Sequence, residues 1–242
     1  MLDLETLGVK TDAVFLSLAA TQFDINTGHV GRVFYRTIEL ESSLRIGRKV
    51  ESETIKWWLK QNPAVLLKMF ENSAPLSLVL QEFTIFFHDI SEFVPANNPV
   101  RIWGNSATFD VEKLGTAYDA FEMERPWNTF YERCYRSYVS EFKHLVADIP
   151  PRTELEAHDP VKDNEFQIKR LVKVWNTIKD FQYKDSQFAE DYADAVLMLS
   201  AIKEELGELS PTLVPRAPAL YKRISDFLNG KPKTVNSNGT TT

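Results

Sequence analysis

Apolar residues in the first part of the chain are grouped as they are in β-strands. The short segment MLDLE, the apolar run from Ala13 to Asp24 and the segment from Val30 to Glu39 each predict a strand. Between the last two, INTGH supplies an asparagine and a glycine, which favour a turn. Three strands in succession predict an antiparallel meander at one side of a sheet.

Beyond these strands the pattern changes to helical spacing. Helices are predicted from Glu53 to Asn62, with Pro63 breaking or restarting the helix, and from Leu76 to Phe93. A buried strand is predicted from Pro99 to Asn105, and a further helix begins near Ser106. Because successive strands precede an alternation of strands and helices, the sequence predicts an α/β fold with a mixed sheet flanked by helices.

The last part of the chain is predicted to be helical and then irregular. Asp159 is suited to cap a helix that has Pro160 at its first position, and a second helix is predicted from Phe188 to Leu206. Prolines then mark a connector before a short helix in ALYKRISDFL, and the composition of NGKPKTVNSNGTTT indicates a flexible tail. We therefore expect a main domain at residues 1–206, a connector and helix packed on it at 207–228, and a tail at 229–242.

The composition is that of a globular protein, since 43% of the 242 residues are hydrophobic and 26% are charged. The net charge of −6 argues against a protein that binds nucleic acid mainly by neutralising phosphates, but it is compatible with a nuclease that uses divalent ions. No apolar run approaches the roughly 20 residues that span a bilayer, so no membrane partner is expected. A single cysteine, Cys134, allows no internal disulfide and indicates a reducing, cytoplasmic compartment.

Two carboxylates stand close together in the first predicted strand. Residues i and i+2 of a strand project from the same face, so Asp3 and Glu5 point towards one place. Their charges repel each other unless a cation lies between them, and a hard, oxygen-seeking cation such as Mg²⁺ or Mn²⁺ suits this position. For this motif alone, a solvated strand end is the alternative explanation.

Two further segments carry acidic residues at predicted helix starts. Asp110 in WGNSATFD falls in the first turns of a helix that follows a buried strand, which is where α/β sheets place their ligands. Asp163 in AHDPVKD lies one turn into a later helix, and His158 in the preceding loop can reach the same cavity as Asp163. A histidine at that place could act as a general base near neutral pH. Taken singly, Asp110 also suits a helix N-terminus, and His158 also suits a hydrogen bond to a helix end.

The three acidic motifs, in this order, resemble a known family. DLET, GNSATFD and HDPVKD are similar to the motifs of the DEDDh branch of the DnaQ-like 3′–5′ exonuclease superfamily, over roughly the first three-quarters of the chain. Within it, TIKWWLKQNPAV and YERCYRS are similar to segments of the group that contains the T-even phage exonuclease A (DexA) and mycobacterial exoribonucleases. The resemblance implies a ribonuclease H-like mixed sheet, with three antiparallel strands followed by parallel strands.

The resemblance also implies a reaction, the metal-dependent hydrolysis of single-stranded nucleic acid from its 3′ end with release of nucleoside 5′-monophosphates. The implied ligands of two Mg²⁺ or Mn²⁺ ions are Asp3, Glu5, Asp110 and Asp163. The implied general base is His158. The residues expected to border the terminal nucleotide or stack on a base are Thr6, Leu7, Gly8 and Trp58. DNA is favoured as the substrate because the Trp-Trp segment looks closer to that of the phage protein.

Other functions and several properties stay open. The alternatives are a nucleic-acid-binding module of weak activity on the same fold, an exoribonuclease, and a phosphohydrolase of small nucleotides. The protein is expected in the cytoplasm (the host cytoplasm if it is phage-encoded), as a monomer or a homodimer. Only Met1 and Leu2 precede Asp3, so either the start is placed too late or the strand is truncated, and weak support for this ligand is expected.

Overall fold

The computed structural model describes residues 1–92, 94–95, 97–153, 158–208, 222 and 226. The chain divides into two compact units, Met1–Thr177 and Ile178–Thr242. The predicted limits at 206 and 228 differ from this division, and because most residues after 208 lie outside the described part, the predicted domain limits stay predictions. In the described part of the chain, no helix has the length and apolarity that crossing a membrane requires.

A five-stranded mixed sheet forms the centre of the first unit. Its strands are β1 (Leu2–Thr6), β2 (Phe15–Phe23), β3 (Val30–Thr37), β4 (Ile102–Gly104) and β5 (Glu132–Cys134). The spatial order is β3-β2-β1-β4-β5, in which β1, β2 and β3 pair antiparallel and β1, β4 and β5 pair parallel. The predicted fold class is therefore confirmed, including the change from antiparallel to parallel pairing.

Helices follow the strands in most connections. They are α1 (Leu40–Arg45), α2 (Ser52–Trp58), α3 (Pro63–Lys68), α4 (Leu76–Ser91), α5 (Glu112–Ala120), α6 (Tyr135–Glu141) and α7 (Pro160–Glu208). Shorter helical pieces are a π-helix at Ala107–Val111, which continues into α5, and 3₁₀ turns at Thr129–Tyr131 and Lys143–Val146.

Two helix predictions are wrong in their limits. The segment predicted as one helix from Glu53 to Asn62 ends at Trp58, and the Asn62 side chain instead accepts a hydrogen bond from the Ala64 N–H at the start of α3. The two helices predicted in the last part of the chain are one continuous helix, α7. The stretch between them, residues 179–187, contains neither proline nor glycine, so nothing in it breaks the helix.

Alternation along β1 separates the core from the acidic side chains. Leu2 and Leu4 belong to the main hydrophobic core, where they pack with apolar residues of α4 and α5 such as Phe83. Each such leucine contributes about 1.5–3 kcal/mol by its burial. Because neighbouring residues of a strand point to opposite faces, Asp3 and Glu5 project from the other face of the sheet.

The first strand is short, yet it lies at the centre of the sheet. All five residues of β1 are buried, and Asp3 and Glu5 stand opposite Ala19 and Ser17 of β2. On the other side, Leu2 pairs with Gly104, where β4 ends. The strand that was expected to support its ligands weakly is therefore held by a neighbour on each side.

Candidate active site

The first strand and the start of α7 bring three side chains of the predicted site together. Ligand atoms of Glu5, His158 and Asp163 all lie within 4.8 Å of one another. Asp3 projects from the same face of β1 as Glu5, and its Oδ1 accepts a hydrogen bond from the Gln167 side-chain amide of α7 at 3.4 Å. We call Asp3, Glu5, Asp110 and Asp163 the acidic cluster.

Asp110 joins the cluster through the backbone of β1. Since β4 ends at Gly104, the Leu4 N–H donates to the Asp110 carboxylate at 3.3 Å instead of to a strand partner. The other carboxylate oxygen accepts the Ser106 N–H at 3.0 Å. These bonds place Asp110 beside β1 between the backbone positions of Asp3 and Glu5. The π-helix that carries Asp110 is a backbone feature often found at functional sites.

The start of α7 is built as the sequence predicts. Asp159 Oδ1 accepts the N–H groups of Val161 at 3.1 Å and Lys162 at 3.2 Å, which is the bonding of an N-cap, and Pro160 is the first helical residue. The other oxygen of Asp159 pairs with Lys68 Nζ of α3 at 2.9 Å. This cap fixes the first turn of α7 and therefore the position of Asp163.

His158 occupies the residue before the cap in an unusual backbone conformation. Its φ of 67° is left-handed, a region in which histidine is found more often than most residues. The half-buried imidazole packs edge-to-face against the rings of Trp57 at 4.7 Å and Trp58 at 5.9 Å. Burial and the nearby Arg152 guanidinium lower the pKa of His158. The ring is thus held against the tryptophans, with one of its nitrogens within 4.8 Å of carboxylate oxygens of Glu5 and Asp163.

Burial and mutual repulsion disfavour the charged forms of the carboxylates. Burial is the largest cause, and the charge of Asp110 the second, of the rise in the pKa of Asp3 to about 8. Burial is also the largest cause for Glu5, and together with the charges of Asp3 and Asp110 it raises the pKa of Glu5 well above its ordinary value. Burial raises the pKa of Asp110 to about 6 although its backbone hydrogen bonds act in the opposite direction. A bound cation would stabilise the charged forms, and oxygen ligands of this kind suit hard divalent ions.

Two side chains of this site carry little or no signal in the sequence. Gln167 lies one helical turn after Asp163, so its i+4 spacing could have indicated that it shares the same face of α7. Arg152 forms an ion pair with Asp163, but it lies in the irregular segment IPPRT, where no periodicity indicates a direction. Sequence reasoning missed both.

The residues predicted to bind substrate have different surroundings. Thr6 Oγ1 donates to the Gly8 carbonyl at 2.7 Å, and that carbonyl also accepts a hydrogen bond from Lys113 Nζ at 2.9 Å. Leu7 is buried in a second core cluster together with Trp58. Gly8 itself is buried. Whether Thr6, Leu7 and Gly8 contact a nucleotide stays a prediction.

The two tryptophans of α2 are placed differently from what stacking by Trp58 requires. Trp58 is only 2% exposed, and its indole N–H donates to the Thr6 carbonyl at 3.0 Å. Trp57 is 41% exposed and lies next to His158. The accessible aromatic surface beside the site therefore belongs to Trp57, and the ring of Trp58 is enclosed.

Comparison with known proteins adds one match to this geometry. Residues 1–175 match a family model described as the 3′–5′ exoribonuclease Rv2179c-like domain. The comparison with curated proteins and that with solved structures found no match. The matched residues include all five strands of the sheet, the acidic cluster and His158. The chain belongs to the Rv2179c-like 3′–5′ exoribonuclease domain family, within the DnaQ-like exonucleases.

Proposed function

We propose that this protein is a metal-dependent 3′–5′ exonuclease that hydrolyses the terminal phosphodiester bond and releases nucleoside 5′-monophosphates. The observation that carries the proposal is the convergence of Glu5, His158 and Asp163 within 4.8 Å, with Asp3 and Asp110 next to them. Carboxylate clusters that hold divalent ions are a common means of phosphodiester hydrolysis. The family assignment supports attack from the 3′ end.

The acidic cluster is the proposed metal site, for two Mg²⁺ or Mn²⁺ ions. Its donors fit these ions, because both prefer carboxylate oxygens and because buried carboxylates with raised pKa values favour a cation beside them. When bound, the ions polarise the phosphate and acidify the attacking water. The protein's own contribution is to hold the ligands still, for example through the N–H groups of Leu4 and Ser106 on Asp110.

His158 is the proposed acceptor of the proton from the attacking water. A general base must lie within hydrogen-bond reach of that proton, and an imidazole nitrogen within 4.8 Å of Glu5 and Asp163 oxygens meets this requirement for a water at the cluster. Packing on Trp57 restricts rotation of the ring. The left-handed backbone at His158 costs of order 1 kcal/mol, and the cap at Asp159 offsets that cost.

The proposed substrate is single-stranded RNA, with its 3′-terminal base beside Trp57. The description of the matching family supports RNA, whereas the DNA preference predicted from the Trp-Trp segment rests on resemblance alone. An exposed ring next to the cluster suits base stacking, which contributes about 1–3 kcal/mol per base and tolerates any sequence. The cytoplasmic location and the oligomeric state stay predictions.

Time-resolved digestion of 5′-labelled RNA and DNA of the same sequence tests this function. With Mn²⁺ or Mg²⁺ we expect a ladder that shortens from the 3′ end, shortens faster for RNA, and stops when EDTA is added. Internal cuts, or loss from the 5′ end, would contradict an exonuclease of this polarity. Faster digestion of DNA than of RNA would make DNA the preferred substrate. Binding of nucleic acid without turnover would favour the alternative of a nucleic-acid-binding module of weak activity. A parallel assay on nucleoside triphosphates identifies a small-nucleotide phosphohydrolase.

A further inference from the structure

One basic side chain lies directly against the acidic cluster. Arg152 is ion-paired with Asp163, although the side chain of Asp163 is only 9% exposed. The side chain of Arg152 is 31% exposed, so it contacts the buried carboxylate and also meets solvent. Two prolines precede it in the chain, and their fixed φ angles restrict the backbone that directs the arginine.

A ring on α7 holds the same guanidinium from a second direction. The Arg152 Cζ lies 5.3 Å from the ring centroid of Phe166, which stands three residues after Asp163 on the helix. Cation–π contacts of this kind contribute about 0.5–1 kcal/mol at exposed sites. With Asp163 and Phe166 both on α7, the orientation of Arg152 is tied to the helix that supplies a ligand of the cluster.

The charge of Arg152 acts on other parts of the site as well. It opposes the raised pKa values of Asp3 and Glu5, and it lowers the pKa of His158. The charge of Arg152 therefore acts on Asp3, Glu5 and His158 in addition to Asp163, with which it is ion-paired.

The chemistry of the substrate gives this arginine a function. A nucleic acid strand brings negative phosphates towards four carboxylates, so attraction by a fixed cation at that place lowers the cost of approach. A guanidinium has five N–H donors in a planar fork that matches phosphate oxygens, and an ion pair with one carboxylate leaves donors for a second anion. We infer that Arg152 binds phosphate and contacts a non-bridging oxygen of the phosphate that is cleaved. This inference rests on the proposed function.

Binding of the reaction product tests this inference without any turnover. The product of the proposed reaction, a nucleoside 5′-monophosphate, keeps the cleaved phosphate, and the corresponding nucleoside lacks it. Isothermal titration calorimetry of both compounds against the protein with Mn²⁺ gives the preference for the phosphate as a ratio of Kd values. A charge-assisted hydrogen bond is worth about 10- to 100-fold in such a ratio. We therefore expect Arg152→Met to reduce the preference at least about tenfold.

The chain offers a matched control in Arg170. Its guanidinium lies over the same ring of Phe166 at the same 5.3 Å, but its described contacts include no ion pair with the acidic cluster. Arg170→Met removes the same charge, and we expect it to keep the preference of the parent protein. An equal loss in both variants, or no loss in Arg152→Met, would overturn the inference.

A second substitution covers the case in which Arg152→Met fails to fold. Arg152→Gln keeps a hydrogen-bond donor for Asp163 and removes only the charge, so the same loss of phosphate preference is expected. A parent-like preference in Arg152→Gln would count against the phosphate contact. Digestion of RNA by the parent protein tests the proposed function separately, since phosphate preference is measured on a product without hydrolysis. If the parent protein does not digest RNA but Arg152→Met still loses the phosphate preference, the exonuclease function alone is refuted. If the parent protein digests RNA and Arg152→Met keeps the preference, the phosphate contact of Arg152 alone is refuted.

Discussion

Replacing Gly104 with alanine is expected to displace Asp110 and to reduce both stability and activity. Gly104 is the last residue of β4, directly beside the turn that carries Asp110. A Cβ on Gly104 would lie 3.0 Å from the Asp110 Cβ and 3.0 Å from the Ser106 carbonyl oxygen, so these atoms must move by a few tenths of an ångström. Neither neighbour is the loose end of a flexible side chain.

The structure gives the size of this effect. The Leu4 N–H reaches Asp110 at 3.3 Å, already long for a hydrogen bond, so a further shift of the carboxylate breaks it. Overpacking of a buried site costs about 1–3 kcal/mol. A hydrogen bond to a charged group contributes about 1.5–3 kcal/mol. Because the two costs overlap, we expect the free energy of unfolding to fall by roughly 2–3 kcal/mol.

Activity is expected to fall further than stability explains. Misplacement of a catalytic group by about 1 Å can lower a rate about 100-fold, and a smaller displacement of a metal ligand acts in the same direction. Urea unfolding measures the stability of Gly104→Ala, and RNA digestion with Mn²⁺ at a temperature where the variant is folded measures its activity. Gly31→Ala is the control, because its Cβ would meet only the movable amide end of Gln22, and we expect a change within about 0.5 kcal/mol. Parent-like stability and activity in Gly104→Ala would refute the described support of Asp110.

Four further substitutions test the parts around the cluster. Trp57→Ala should raise the KM for RNA with little effect on the free energy of unfolding, because the ring of Trp57 is partly exposed. Trp58→Phe should lower the free energy of unfolding by about 1–3 kcal/mol, because the Thr6 carbonyl loses its hydrogen-bond donor. A raised KM only in Trp58→Phe and a loss of stability only in Trp57→Ala would contradict the placement of these rings. Gln167→Leu should weaken Mn²⁺ binding about tenfold in calorimetry, since it removes a donor that orients a ligand, and an unchanged Kd would exclude that role. Asp159→Ala should destabilise the protein by about 1 kcal/mol in urea unfolding through loss of the cap, and a stability equal to that of the parent would contradict the capping.

Local patterns predicted those parts of the structure that local physics decides. The i, i+2 spacing of Asp3 and Glu5 correctly indicated one face of a strand, because side-chain direction in a strand follows from its pleat alone. Asp159 and Pro160 correctly marked the start of α7, because both act on the backbone next to them. The mixed sheet followed from the order of strands and helices.

Features that depend on tertiary contacts were missed. β5 has only three residues, Glu132–Cys134, and forms because β4 lies beside it, so it carries no apolar alternation of its own. Spacing could not indicate that Trp57 is exposed and Trp58 is buried, because adjacent helical residues differ only in which face the fold covers. Arg152 reaches the cluster from an irregular segment, whose direction no spacing rule determines.

Metal-dependent exonuclease activity at the acidic cluster is tested most directly by measuring the release of nucleoside 5′-monophosphates from RNA by chromatography, for the parent protein and for Asp110→Asn. Asparagine keeps the size of the side chain and one acceptor oxygen, but it removes a charged ligand from the acidic cluster. We expect Mn²⁺-dependent release by the parent and a rate at least about 100-fold lower in Asp110→Asn, since bound metal supplies several kcal/mol of transition-state stabilisation. Equal release by the two proteins, or release that persists in EDTA, would contradict a metal-dependent exonuclease at this site.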